Sequence, residues 1–132
     1  MKQLLYSPGE PAGIGIDSIL HISKLKFWEQ INVNIVSITD RKLLESRSKL
    51  LNISLEFKEL KSLKEAKKNK IGVIQFIQVA MCKDYTPGKL NSNNAKYIID
   101  NLNFGIDQAL KNKKIGLVTG PIQKSNIIEG GF

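Results

Sequence analysis

Five short apolar runs punctuate this chain: Gln3–Ser7, Val33–Thr39, Ile53–Phe57, Ile71–Val79 and Ile115–Thr119. Runs of this length, rich in Ile and Val, read as strands. Most of the stretches between them carry apolar residues at helical spacing. Ile16, Ile19, Leu20 and Phe27 predict a first helix, and Asp40 is placed to cap a second with Leu43, Leu44, Leu50 and Leu51 on one face. Ser62–Lys70 is lysine-rich and reads as an exposed connector. Ser92–Leu110 predicts the longest helix, with Ala95, Ile98, Ile99, Leu102, Ile106, Ala109 and Leu110 on its inner face. A last helix is expected from Ile122 to Glu129. Strands alternating with helices dictate an α/β layer fold with a mainly parallel sheet.

Composition narrows the class. At 132 residues with 42% hydrophobic and 24% charged residues, the chain has the make-up of one globular domain. No apolar run nears the roughly 18–20 residues that span a bilayer, and the short apolar stretch before Pro8 does not read as a secretory signal. The expectation is a cytoplasmic protein without a membrane partner. The single cysteine, Cys82, fits a reducing compartment, and with one histidine, His21, it makes a self-contained zinc site improbable. His21 reads as a structural or surface residue, Cys82 as inert, and Phe27 and Trp28 as packing residues.

The net charge of +8 raises a nucleic-acid partner, but 18 of the 20 basic residues are lysine, and Lys, Asn and Ile together make up 47 of the 132. All three are favoured by A/T-rich codons. The lysines are scattered and no aromatic residues interleave with them as a stacking platform needs. The expectation is no nucleic-acid partner. That expectation would be reversed by a steep fall of polyanion affinity with salt.

Ligands of open parallel sheets bind outside the carboxyl ends of the strands. Two loops are expected there. Pro8-Gly9-Glu10-Pro11-Ala12-Gly13-Ile14-Gly15 follows a strand and opens a helix. Its glycines allow tight turns and close approach of a ligand, and the helix start offers N–H groups to a phosphate. The spacing G-x-x-x-G-x-G is neither the dinucleotide fingerprint nor a phosphate-loop motif. Gly9, Glu10, Gly13 and Gly15 are the candidate cofactor-binding residues. Thr119-Gly120-Pro121-Ile122-Gln123-Lys124 joins the last strand to the last helix, with Thr119 and Lys124 as candidate substrate-cleft residues. No catalytic residue and no metal ligand is assigned on this chain. Taken alone, the loops also suit a non-catalytic α/β module that binds a nucleotide or phosphometabolite.

The opening Tyr6-Ser7-Pro8-Gly9-Glu10-Pro11-Ala12-Gly13-Ile14-Gly15 resembles that of the 4-hydroxythreonine-4-phosphate dehydrogenases of pyridoxine biosynthesis, where a strand runs into a T-x-G-E-P-A-G-I-G-P-like stretch. Val118-Thr119-Gly120-Pro121-Ile122-Gln123-Lys124 is similar to the family's V-T-[AG]-P-x-x-K, and Pro87-Gly88-Lys89-Leu90 before the long helix also fits. The chain departs from the pattern at Ile16, where Pro is common, keeping the acid at Asp17, and at Gln123, where Asn or His is usual.

The resemblance covers the whole chain but only the front of that family. It implies a three-layer α/β/α domain, similar to isocitrate and isopropylmalate dehydrogenases and incomplete here, with the second domain outside these residues. It implies an oxidoreductase of pyridoxal phosphate biosynthesis that oxidises 4-(phosphooxy)-L-threonine with NAD to 3-amino-2-oxopropyl phosphate and CO2. It also implies a divalent metal (zinc, cobalt or magnesium), a homodimer, and a cleft lined by the two loops. The family's G-H-T-E motif, its three metal-binding histidines and its substrate-holding Lys, Asn and Arg lie beyond the matching region. The chain by itself is therefore expected to be inactive, and its unfinished sheet prone to association.

Overall fold

A computed structural model describes residues 2–83, 86–122 and 124–132, without the side chains of 124–126. Five strands, β1 (Gln3–Ser7), β2 (Asn34–Ile38), β3 (Glu56–Glu59), β4 (Val73–Ile77) and β5 (Ile115–Thr119), form one sheet in the order β3-β4-β2-β1-β5. Every pairing is parallel: Leu5 sits opposite Val36 on one side and Leu117 on the other. Four α-helices accompany them: α1 (Ile14–Ile22), α2 (Arg41–Leu50), α3 (Ala95–Lys111) and α4 (Lys124–Glu129).

Alternation along the strands divides the core. One face holds Ile35, Ile74 and Phe76 against Ile16, Ile19, Leu20, Trp28, Leu43 and Leu44. The other holds Leu5, Val36 and Ile38 against Phe104, Ile115 and Leu117. Helices α1 and α2 therefore cover the first face and α3 the second, giving the three layers that strand and helix alternation calls for. Burying side chains on both faces explains why the central strands read as apolar runs rather than as alternating ones.

Several expectations need correction. Helix α1 ends at Ile22, so Phe27 is not on it. Phe27 lies in a 3₁₀ turn, Lys26–Gln30, and is 44% exposed while Trp28 beside it fills the core. The third strand runs two to three residues later than Ile53–Phe57. It is a charged edge strand, Glu-Phe-Lys-Glu, a composition that discourages further pairing. On α2, Leu50 points to solvent, and the place expected for it on the inner face is taken by Arg47 and Ser48.

On α3 the buried face is Ala95, Tyr97, Ile98, Asn101 and Gly105, while Ile106 and Leu110 are exposed. The reason is Gly105. A Cβ there would stand 2.7 Å from Leu117 and 3.2 Å from Ile38, so the helix backbone approaches the sheet at the glycine and rotates its apolar stripe outward. The Ser62–Lys70 connector is mostly exposed, but Asn69 pins it. Its side chain accepts from Ile35 N–H at 2.9 Å and donates to the Val33 carbonyl at 2.9 Å.

Candidate functional site

The chain leaves β1 for β2 on one side of the sheet and later returns, through α3, to place β5 on the other. Between the carboxyl ends of β1 and β5 the direction of winding reverses, which is where open α/β sheets form their ligand crevice. Both candidate loops meet there. The Gly120 N–H donates to the Ser7 carbonyl at 2.7 Å and the Glu10 N–H to that of Pro121 at 3.1 Å.

Glycine makes this contact possible. A Cβ at Gly15 or Gly120 would fall on the Pro8 carbonyl oxygen, and one at Gly9 on that of Pro121, each well under 3.0 Å. Gly9 also holds φ +83°, a conformation that disfavours side chains. Three of the glycines therefore serve backbone-on-backbone packing between and within the loops. The close partners of Gly9 and Gly15 within the chain are Pro121 and Pro8.

The first loop is held from beneath. Arg47 is 2% exposed, and its guanidinium donates to the carbonyls of Pro11 at 2.6 Å and Gly13 at 3.1 Å and to the Asp17 carboxylate at 2.5 Å. A buried guanidinium needs this many acceptors, because desolvating it unpaired would cost several kcal/mol. Tyr6 donates to the Gly15 carbonyl at 2.8 Å, and burial raises its pKa, keeping the phenol protonated. Gly88 donates to the Ala12 carbonyl at 2.8 Å, which ties the Pro87–Lys89 turn to the same loop. The carbonyls of Glu10, Pro11, Ala12, Gly13 and Gly15 all accept bonds from the protein.

The N–H side is different. The first-turn N–H groups of a helix have no intrahelical partner, and no side chain caps α1 after Gly13. The loop thus turns its negative ends inward, the Gly13 N–H itself donates to the Glu10 carbonyl at 2.9 Å, and the helix start that faces outward is at exposed Ile14.

Beside it, at the end of β2, Asp40 performs two tasks. One carboxylate oxygen caps α2 through the Lys42 N–H at 2.8 Å, as the sequence predicts, and the other accepts from the Cys82 N–H at 2.6 Å. The Tyr97 hydroxyl from α3 lies 3.2 Å from both Thr39 Oγ1 and the Asp40 N–H, and burial pushes its pKa up to about 12. Asn94 accepts from the Lys83 N–H at 2.7 Å. These bonds fasten the segment after β4 next to the first loop.

The candidate residues therefore fall into groups. Gly9, Glu10 and Gly15 are buried within the interlocked loops, and Gly13 is half-buried at the start of α1. Thr119 is exposed at the end of β5, beside Gly120. Lys124 opens α4, but its side chain, like Gln123, lies outside the described residues. Asp84 and Tyr85, beside Cys82 in sequence, are also outside. His21 is exposed on α1, away from the loops, and Cys82 is half-buried. Among the described residues no three His, Cys, Asp or Glu side chains gather as a metal site requires.

Sequence reasoning passed over Arg47, Asn94 and Tyr97. Arg47 had a signal: it stands three and four residues after Leu44 and Leu43, a cation within an apolar stripe. No spacing rule reaches Tyr97, whose partners are 57 and 58 residues away.

The same arrangement recurs in known proteins. The model of the pyridoxal phosphate biosynthetic protein PdxA matches residues 31–132. A 4-hydroxythreonine-4-phosphate dehydrogenase of Yersinia enterocolitica is 32% identical over 131 residues, covering 99% of this chain and 38% of that protein. One of Colwellia psychrerythraea is also 32% identical, with 39% of its length covered. The chain thus spans about two fifths of the curated relatives it matches. Among solved structures, a 4-hydroxythreonine-4-phosphate dehydrogenase from Burkholderia phymatum superposes with a TM-score of 0.86 at 19% identity over 99% of this chain and 39% of that one. One from Klebsiella pneumoniae gives 0.85 at 18%, covering 99% of this chain and 40% of that one. These structural likenesses confirm the fold; the sequence matches carry the kinship. With both glycine loops interlocked at the winding reversal and the family model covering most of its length, this chain belongs to the PdxA family of pyridoxal phosphate biosynthetic proteins.

Proposed function

We propose that these residues form the N-terminal α/β domain of a two-domain oxidoreductase that oxidises 4-(phosphooxy)-L-threonine with NAD to 3-amino-2-oxopropyl phosphate and CO2. The observation that carries this reading is the pairing of the two loops at the carboxyl ends of β1 and β5, in a chain matched over 99% of its length by 4-hydroxythreonine-4-phosphate dehydrogenases. In the proposed enzyme a bound NAD would supply the hydride acceptor for oxidation of the substrate alcohol, whose β-keto acid product would then lose CO2.

The contribution of this chain is binding and orientation. The start of α1 at Ile14, beyond the Gly13 N–H that donates to the Glu10 carbonyl, suits a phosphate-bearing group through the next backbone N–H groups and the positive end of the helix. Gly9 and Gly15 also keep the loop in shape through their close packing on Pro121 and Pro8. Arg47, from below, fixes the carbonyls that set its path. Thr119 is accessible at the cleft floor, and Lys124 follows it at the start of α4. Residues supplied by the remaining three fifths of such a protein would hold the divalent metal and complete the site, in a cytoplasmic homodimer.

A chimera tests this. Residues 1–132 of this chain replace the matching segment of the Yersinia enterocolitica relative, and NADH formation from 4-(phosphooxy)-L-threonine is followed with a divalent metal present. The proposal expects turnover in the folded chimera and none in the 132-residue chain alone. A chimera that folds and binds NAD without turning substrate over would overturn the dehydrogenase reading and leave a phosphate-binding module.

A further inference from the structure

A cavity lies on the second face of the sheet, toward the amino ends of β1, β2 and β5. It measures about 510 Å³, within the roughly 300–1,000 Å³ typical of small-molecule sites, and sits between the last turns of α3 and the Lys61–Lys64 segment. Its floor is apolar: Leu63, Ile77, Phe104 and Ile115, all partly buried and packed on the second core face. Its rim carries Lys2, Lys61, Lys64 and Lys114, brought from three separate parts of the chain.

Two facts set this rim apart from the general basicity of the surface. Lysine is 18 of 132 residues in the chain but four of the thirteen described residues that line this cavity, and no acidic residue is among those thirteen. None of the four takes part in an ion pair among the described residues, whereas Lys96 and Lys111 on the outside of α3 each pair with an aspartate one turn away. The nearby acid, Glu65, accepts from the Lys61 N–H at 3.2 Å and does not line the cavity. The wall is also fixed rather than loose: Gln3 Nε2 donates to the Leu63 carbonyl at 2.6 Å, stitching the 3₁₀ turn to β1. Four like charges around an apolar floor repel one another, and an anion entering between them relieves that repulsion.

We infer that this cavity binds a small organic anion, with an apolar body on Phe104, Ile77 and Ile115 and a carboxylate or phosphate held by the lysine rim. The site is separate from the crevice at the carboxyl edge and does not depend on the dehydrogenase reading. The rim is exposed, so each lysine contributes modestly and the affinity depends on salt.

The test is a titration of the 132-residue chain with decanoate and, separately, with 1-naphthyl phosphate, read by amide chemical shifts. The expected result is that at least one probe moves the amides of Leu63, Phe104 and Ile115. Its binding should weaken about fivefold in K61Q/K64Q, and again between about 0.05 M and 0.3 M salt. Whichever probe binds tighter identifies the head group. K2Q/K114Q tests the other half of the rim and serves if the first pair fails to fold. The inference is overturned if neither probe moves those amides, or if binding persists unchanged in the folded lysine variants. It is also overturned if the shifts map instead to a separate apolar groove of about 240 Å³, lined by Ile22, Phe27 and Val118 beside α1.

Discussion

The two ends of one sheet are built by opposite means. At the carboxyl edge the site is made of backbone. Gly9, Gly15 and Gly120 let carbonyls and N–H groups of two loops touch, and one buried cation, Arg47, holds them from below. At the amino edge the cavity is made of side chains, four exposed lysines over an apolar floor. A charge in the first setting has lost its water and depends on its partners. A charge in the second keeps its water and depends on none. Equal substitutions should therefore have very unequal consequences at the two ends.

The largest expected effect is at Arg47. R47A removes the donor for two loop carbonyls and leaves Asp17 without its partner, at a cost of about 3–5 kcal/mol. That is a large share of the roughly 5–15 kcal/mol that stabilises a typical domain. Urea unfolding of the chain measures it directly. A loss below about 1 kcal/mol would break the comparison, since Arg47 would then be no more deeply committed than a rim lysine.

G15A comes next. The new methyl meets the Pro8 carbonyl oxygen, a backbone atom that cannot swing aside, so about 3 kcal/mol should be lost, with G120A behaving alike. If G13A, where the methyl would meet Glu10 no closer than 3.3 Å, costs as much as G15A, then loop interlock is not what these glycines serve.

The third prediction concerns pH. Tyr97 ionises near 10 in the unfolded chain and at about 12 in the folded one, mainly because burial disfavours the phenolate. The folded state holds the proton longer, so this contribution is fully present below pH 10 and is lost as pH rises toward 12. Wild type should lose on the order of 2–3 kcal/mol across that window beyond what Y97F loses. Unfolding curves of the two proteins at pH 9 and pH 11.5 give the difference, and parallel losses would place the phenol in solvent.

At the bottom of the scale, K61Q/K64Q should change stability by less than about 0.5 kcal/mol, because these are exposed charges with no ion pair among the described residues. A stabilisation in that range would sharpen the comparison, as it would show the rim lysines repelling one another. A thermal melt at low salt is sufficient.

Much of this was legible in the chain itself. The apolar runs located the strands because parallel strands are buried on both faces. Asp40 announced its helix because a cap is a local bond between neighbours. The two loops could be placed at the carboxyl edge because each directly follows a strand of a parallel sheet. What eluded local reading was the facing of the elements. Gly105 brings α3 close to the sheet and turns Ile106 and Leu110 out, although an amphipathic plot of the same helix puts them in. The charged Glu-Phe-Lys-Glu of β3 becomes a strand only because β4 offers it a ladder.

Alternation of apolar runs and helical spacing thus determined an α/β domain with the Pro8–Gly15 and Thr119–Lys124 loops following two of its strands, since periodicity and capping act between residues near in sequence. Tertiary structure alone decided that the glycines interlock the loops, that Arg47 lies buried beneath them, that Tyr97 closes on Asp40, and that four scattered lysines share one cavity. Each of those facts joins residues far apart along the chain, and their energies come from desolvation and close packing, which exist only once the layers have come together.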